Sequence, residues 1–194
     1  MMKSLLIACV LASLAPGAAL AAGAYPDVKD TSTVDAADSR VIQLSIVLAA
    51  SPKQVWDAFA DAATVRRWSA PLVAIDLRQG GSLEESYSAT AKLGDPQNIR
   101  HQIIAYVPGQ TLVFRNTNAP TGLPGHEVYG HVVAILQVDD LGAGKTRLTL
   151  SQTGFDKTPA FDSLYRFFHE ENAALMETLK AALETPGGAL HAAH

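Results

Sequence analysis

The sequence predicts an α+β domain: a curved antiparallel sheet of about seven strands, two short helices after strand 1, and a long C-terminal helix packed across the sheet. Three observations carry this. Apolar residues alternate over several segments joined by short Gly- and Pro-bearing turns. A strongly capped helix start follows the first of these segments at once. The last long segment, Pro159 to Glu184, is apolar at three- and four-residue steps.

The chain opens Met1-Met2-Lys3, runs apolar from Leu5 to Leu14, breaks at Pro16-Gly17 and offers Ala19-Leu20-Ala21 as a small-x-small cleavage site. Residues 1–21 therefore read as a secretory signal peptide, and the product is expected to be exported, periplasmic or extracellular. Leu6-Ile7-Ala8-Cys9 resembles a lipoprotein box. Only four apolar residues precede Cys9, so an ordinary signal peptide is preferred and lipidation is left open. The apolar run is too short to span a bilayer, which needs about 20 residues, and nothing later approaches that length.

Removing 21 residues from 194 leaves 173, enough for one domain with its own core. Cys9, the single cysteine, leaves with the leader, so burial must hold the fold without disulfides, and thiol catalysis is excluded. Losing Lys3 takes the formal net charge from −4 to −5. With no basic cluster beyond Arg66-Arg67, nucleic acid is not an expected partner.

Residues 22–39 are small and polar without periodicity and read as a flexible leader; the domain spans 40–185. Ile42, Leu44, Ile46 and Leu48 alternate along the first strand. Ser51-Pro52-Lys53-Gln54 then supplies an N-cap serine, a proline at the first helical position and a glutamine three residues on, the parts of a capping box. Val55, Trp56 and Phe59 form this helix's apolar face, and a second short helix over 63–68 ends before Pro71. Strands follow at about 72–78, 82–91, 98–107, 111–117, 128–139 and 146–153. Thr158-Pro159 starts the terminal helix, whose 26 residues extend about 39 Å. Pro186-Gly187-Gly188 stops it, and residues 186–194 read as a disordered tail.

A sheet curving round a helix without closing on it leaves a space lined by alternate strand residues. Period-two facing turns Leu83, Glu85 and Tyr87 inward, then Ile104 with Tyr106, Leu112 with Phe114 and Asn116, and Leu148 with Leu150 and Gln152. In 128–139 it turns Val128, Gly130, Val132 and Ala134 inward and His131 outward. On the terminal helix Phe168, Asn172 and Met176 share one face, interrupted by the amide. Candidate ligand-binding residues are thus Glu85, Tyr87, Tyr106, Phe114, Asn116, Gln152, Phe168 and Asn172.

A buried, unpartnered carboxylate has a raised pKa and can act as a general acid or base, which makes Glu85 the one catalytic candidate. Its alternatives are a rim position in water or a pair with Arg100. Gly125-His126-Glu127-Val128-Tyr129-Gly130-His131 holds two histidines and a glutamate, but the histidines are five apart, not four, and the segment is expected to begin a strand. A period of two sends them to opposite faces, so no metal is expected there, and no cofactor elsewhere.

Five stretches carry a resemblance: Ala50-Ser51-Pro52-Lys53-Gln54-Val55-Trp56-Asp57-Ala58-Phe59; Val65-Arg66-Arg67-Trp68 with Ala70-Pro71; Gly80-Gly81; 107–114; and 144–155. In this order, over about residues 40 to 184, they resemble the SRPBCC, or START-like, helix-grip superfamily. Within it they resemble bacterial proteins similar to the activator of the heat-shock chaperone ATPase (AHSA-type). The resemblance implies a hydrophobic cavity and carries over no universal catalytic set.

The leading expectation is an exported binding protein, with no complete catalytic set, holding a small hydrophobic molecule (lipid, aromatic or polyketide-like) between sheet and C-terminal helix. The alternatives are a cyclase- or dehydratase-like enzyme using a cavity carboxylate, and a co-chaperone-like interaction module. A protein partner is left open.

Overall fold

Residues 24–34 and 39–190 are described, from a computed structural model. The expected signal peptide, Cys9 and His191 to His194 lie outside the described residues.

Two short strands, β1 (Lys29–Asp30) and β2 (Thr33–Val34), pair with β3 (Arg40–Leu48), whose Ile42, Leu44, Ile46 and Leu48 are all buried. Ser51 then accepts from the Gln54 amide while the Gln54 side chain accepts from the Ser51 amide. This box starts α1 (Pro52–Ala60). Asp61 caps α2 (Ala62–Trp68) through the Thr64 amide. The chain continues through β4 (Leu72–Ile75), β5 (Ser82–Ser86), β6 (Ile99–Val107), β7 (Thr111–Asn118), β8 (Val133–Gly142) and β9 (Lys145–Phe155) to α3 (Pro159–Glu184).

All pairings are antiparallel, in the order β1-β3-β9-β8-β7-β6-β5-β4, with β2 also on β3. The first long strand thus pairs with the last, and α1 and α2 carry the chain to the far edge. α3 packs across the sheet, against β3 and β9 and near α2, with Leu164, Met176, Leu179 and Leu183 buried.

Several expectations are corrected. Among the described residues the sheet has nine strands, because part of the expected flexible leader is built into it. Without β1 and β2, β3 would be an open edge with unpaired amides and carbonyls, the kind of edge that invites association. Tyr25 and Val28 pack against the core. The Asp27 amide donates to Glu177 (3.0 Å), while Asp27 meets Lys180 and Asp30 meets His169, both at 2.8 Å. The tail is ordered as far as Leu190, which is buried and whose amide donates to the Ala182 carbonyl (2.9 Å).

Two corrections bear on the site. The strand expected from 128 starts only at Val133, because His126–His131 forms a 3-10 helix. Gly125 enters it at φ +70, where a Cβ would lie 2.5 Å from the Ala160 carbonyl, so the loop rests on the first turn of α3. On β6 the register shifts between Ile103 and Ala105, leaving Ile104 as the extra residue of a bulge. Ile103, not Ile104, is buried.

Candidate functional site

Between the sheet and α3 lies a cavity of about 560 Å³. The strands give it Leu83, Ile99, Leu112, Phe114, Leu136 and Leu150; α1 and α2 close one side with Phe59 and Trp68; α3 supplies Phe168 and Leu175. Trp68 is fixed by donation from Nε1 to the Ala58 carbonyl (2.9 Å) and by edge-to-face packing on Phe59, with centroids 5.7 Å apart. Leu123, from the loop between β7 and the 3-10 helix, also reaches the wall.

Besides Ser69, Glu171 and Thr178, two polar stations interrupt this lining, and sheet register places the first. His101 stands directly across from Asn116, and its Nδ1 lies 3.0 Å from Asn116 Oδ1. Glu85 pairs with Ile99 and so sits diagonally from His101, its Oε1 3.8 Å from His101 Nε2. Asn116 is only 1% exposed, and its Nδ2 has no partner. At the second station, Asn172 Nδ2 of α3 donates to Gln152 Oε1 of β9 (2.8 Å), both residues being buried.

Phe114 meets the His101 ring edge-on at 4.8 Å, and Tyr129 lies against His101 (6.3 Å) and Phe168 (5.8 Å). Burial, then the nearby Glu85 carboxylate, pushes the Tyr129 phenol well above its ordinary value, so it stays neutral. Tyr87 stands at the rim with 59% of its surface in water. Partial burial, then Glu85, raises it as well. Its ring is far more open than that of enclosed Tyr129, so burial raises it less. Arg100 does not pair with Glu85; it lies 3.5 Å from Glu84. Glu84 also accepts from Asn98 (2.6 Å) and Gly94 (2.7 Å). Burial pushes the Glu84 carboxyl up, but these donors outweigh it and hold the group below its ordinary value.

Of the residues expected to face a ligand, Glu85, Tyr87, Phe114, Asn116, Gln152, Phe168 and Asn172 line the cavity; Tyr106 does not. Lying beyond the β6 bulge, Tyr106 packs half-buried on the core instead. Sequence reasoning missed His101 and Tyr129. Adjacent Ile103 and Ile104 were the signal for His101, since no strict alternation can bury two neighbours on one face. Tyr129 faces in because the 3-10 turn replaces alternation with a three-residue period.

His126 lies 4.0 Å from Glu127, and His131 packs edge-on against Phe161 (5.5 Å). Among the described residues no group of three His, Cys, Asp or Glu is placed to hold a metal ion. No described helix is long and apolar enough to cross a membrane.

Residues 49–184 match the family described as activator of Hsp90 ATPase homolog 1-like protein. The chain belongs to that family. The fold agrees: the solution structure of the Aha1 dimer from Colwellia psychrerythraea aligns with TM-score 0.58 at 15% identity, covering 75% of this chain and 96% of that one. A conserved protein of unknown function from Enterococcus faecalis, EF2215, gives 0.59 at 16%, covering 81% and 78%. The crystal structure of CalU16 from Micromonospora echinospora gives 0.53 at 18%, covering 79% and 82%. At these identities the likeness concerns the fold alone. No curated protein matches the chain. Within this activator-like family, the β1–β2 segment lies before the matched span.

Proposed function

We propose that this activator-like family member is an exported carrier or receptor that holds a small hydrophobic molecule between the sheet and α3. The observation behind this reading is the cavity of about 560 Å³, large enough for a ligand of drug-like size and walled mainly by apolar side chains. A carrier gains from such a space, because leaving an interior unfilled costs packing energy that a guest restores. The open interior supports the carrier reading over a co-chaperone-like module, for which the family description is the support. Export is supported by Lys3, the apolar run to Leu14 and Ala19-Leu20-Ala21.

The test is native mass spectrometry of protein purified from its own source, followed by melting curves with the extracted lipids and aromatic compounds. A copurified small molecule that raises the melting temperature on re-addition is the expected result. Protein free of any guest, with a melting temperature no extract shifts, would remove the reading. Amino-terminal sequencing of the same sample should begin after Ala21.

A second reading, a cyclase- or dehydratase-like enzyme, is favoured by one observation. Glu85 and His101 are 3.8 Å apart in the wall, with the histidine ring fixed by Asn116. Such a pair could move a proton on an enolisable ketone. Deuterium uptake by a bound ketone in heavy water, lost in Glu85→Gln, is its signature; no uptake above the buffer rate rules it out.

A further inference from the structure

We propose that the guest carries a hydroxyl group of phenolic or enolic type, and that Glu85 and His101 bind it together. This deepens the carrier reading and rests on it. Three observations converge on the first polar station.

His101 Nδ1 lies at hydrogen-bond distance from Asn116 Oδ1, which fixes the ring and turns Nε2 toward Glu85. The gap from Nε2 to Glu85 Oε1 is 3.8 Å, beyond hydrogen-bond range, so the two groups face each other without a direct bond. Neither is open to bulk water: the side chains are 9% and 18% exposed. A single oxygen that both donates and accepts satisfies this arrangement. A hydroxyl O–H donates to the Glu85 carboxylate, and its lone pair accepts from His101 Nε2 when the ring carries its second proton. An ether oxygen can only accept, and a hydrocarbon does neither.

Asn116 adds an independent sign. It is 1% exposed with Nδ2 unpaired, on a side chain that lines the cavity. Buried amide donors without a partner are rare in folded proteins, and at a ligand site an oxygen of the guest can supply the missing acceptor. Aromatic groups frame the station: Phe114 edge-on to His101, with Tyr129 and Phe168 beyond. The walls therefore suit a flat ring bearing the hydroxyl.

Three matched probes separate this inference from the carrier reading: 2-naphthol, its methyl ether 2-methoxynaphthalene, and naphthalene, each titrated calorimetrically into the full protein. Naphthol is expected to bind at least about tenfold more tightly than the ether, the discrimination typical of a site whose buried polar groups go unanswered otherwise. In Glu85→Leu and in His101→Phe the naphthol-to-ether ratio should fall towards one; being measured within each variant, it does not depend on unchanged stability. Glu85→Gln, which keeps shape and an acceptor oxygen, should fall between wild type and Glu85→Leu. Equal binding of all three probes would overturn this inference and leave the carrier reading standing. Binding by none would overturn it and count against the carrier reading too.

Discussion

At the residue scale, the side chains that regular strand alternation governs were legible. Glu85, Phe114, Asn116 and Gln152 lie on uninterrupted stretches of β5, β7 and β9, where a period of two carries each inward as expected. Alternation breaks at Ile104, and with it the assignment of His101; Tyr106 keeps the inward face, across from Leu112, but packs on the core outside the cavity. A bulge is set by the partner strand's register, which no local pattern in β6 records. Gly154 offers a test at this scale. It adopts φ +97, and an added Cβ would lie 2.2 Å from the His131 carbonyl oxygen, where the end of the 3-10 helix presses on β9. Gly154→Ala should therefore destabilise by about 2 kcal/mol or more, read as a lower urea midpoint with unchanged slope. A loss under about 0.5 kcal/mol, the level of an ordinary surface change, would contradict the contact.

Elements with chemical start and stop signals were equally legible. The capping box placed α1, and Thr158-Pro159 with Pro186-Gly187 bounded α3, because local hydrogen bonding and backbone restriction fix those ends. β1 and β2 were not, since the segment holding them is joined by backbone pairing and ion pairs that need no apolar periodicity. His169 and Asp30 tie this segment to α3, and the Thr31 amide donates to Gln43 (2.8 Å). Burial pushes the Asp30 carboxyl up, but bonds from Ser32 and His169 outweigh it, so Asp30 sits below its ordinary 3.8. A carboxylate lowered in the fold stabilises it above the unfolded pKa, and that contribution fades as pH falls through the folded value. Wild type should accordingly be more stable than Asp30→Asn at pH 7, with the difference smaller at pH 3. An equal difference at both values would show that Asp30 acts through packing rather than charge. Deleting residues 22–34 should uncover the β3 edge and promote association, visible by analytical ultracentrifugation. A deletion that associates no more than wild type and melts like it would mean the segment protects nothing.

For the whole molecule, a long amphipathic helix after a meander implied a sheet wrapped on a rod, because each apolar face needs the other. The position of the polar stations was only partly legible: Glu85, Asn116, Gln152 and Asn172 could be named, but their grouping depends on which strands neighbour one another. β3 joining β9 and the diagonal of Glu85 to His101 are long-range facts of register. The central claim is that the space between sheet and α3 admits an apolar guest. Ala174 lines that space from α3, and an indole there would project into it. The most direct measurement is fluorescence titration of N-phenyl-1-naphthylamine against wild type and Ala174→Trp, with the melting temperature of each recorded. One saturable site per chain, weakened about tenfold or more in the variant while it stays folded, is the predicted result. Equal binding by both proteins, or none by wild type, would contradict it.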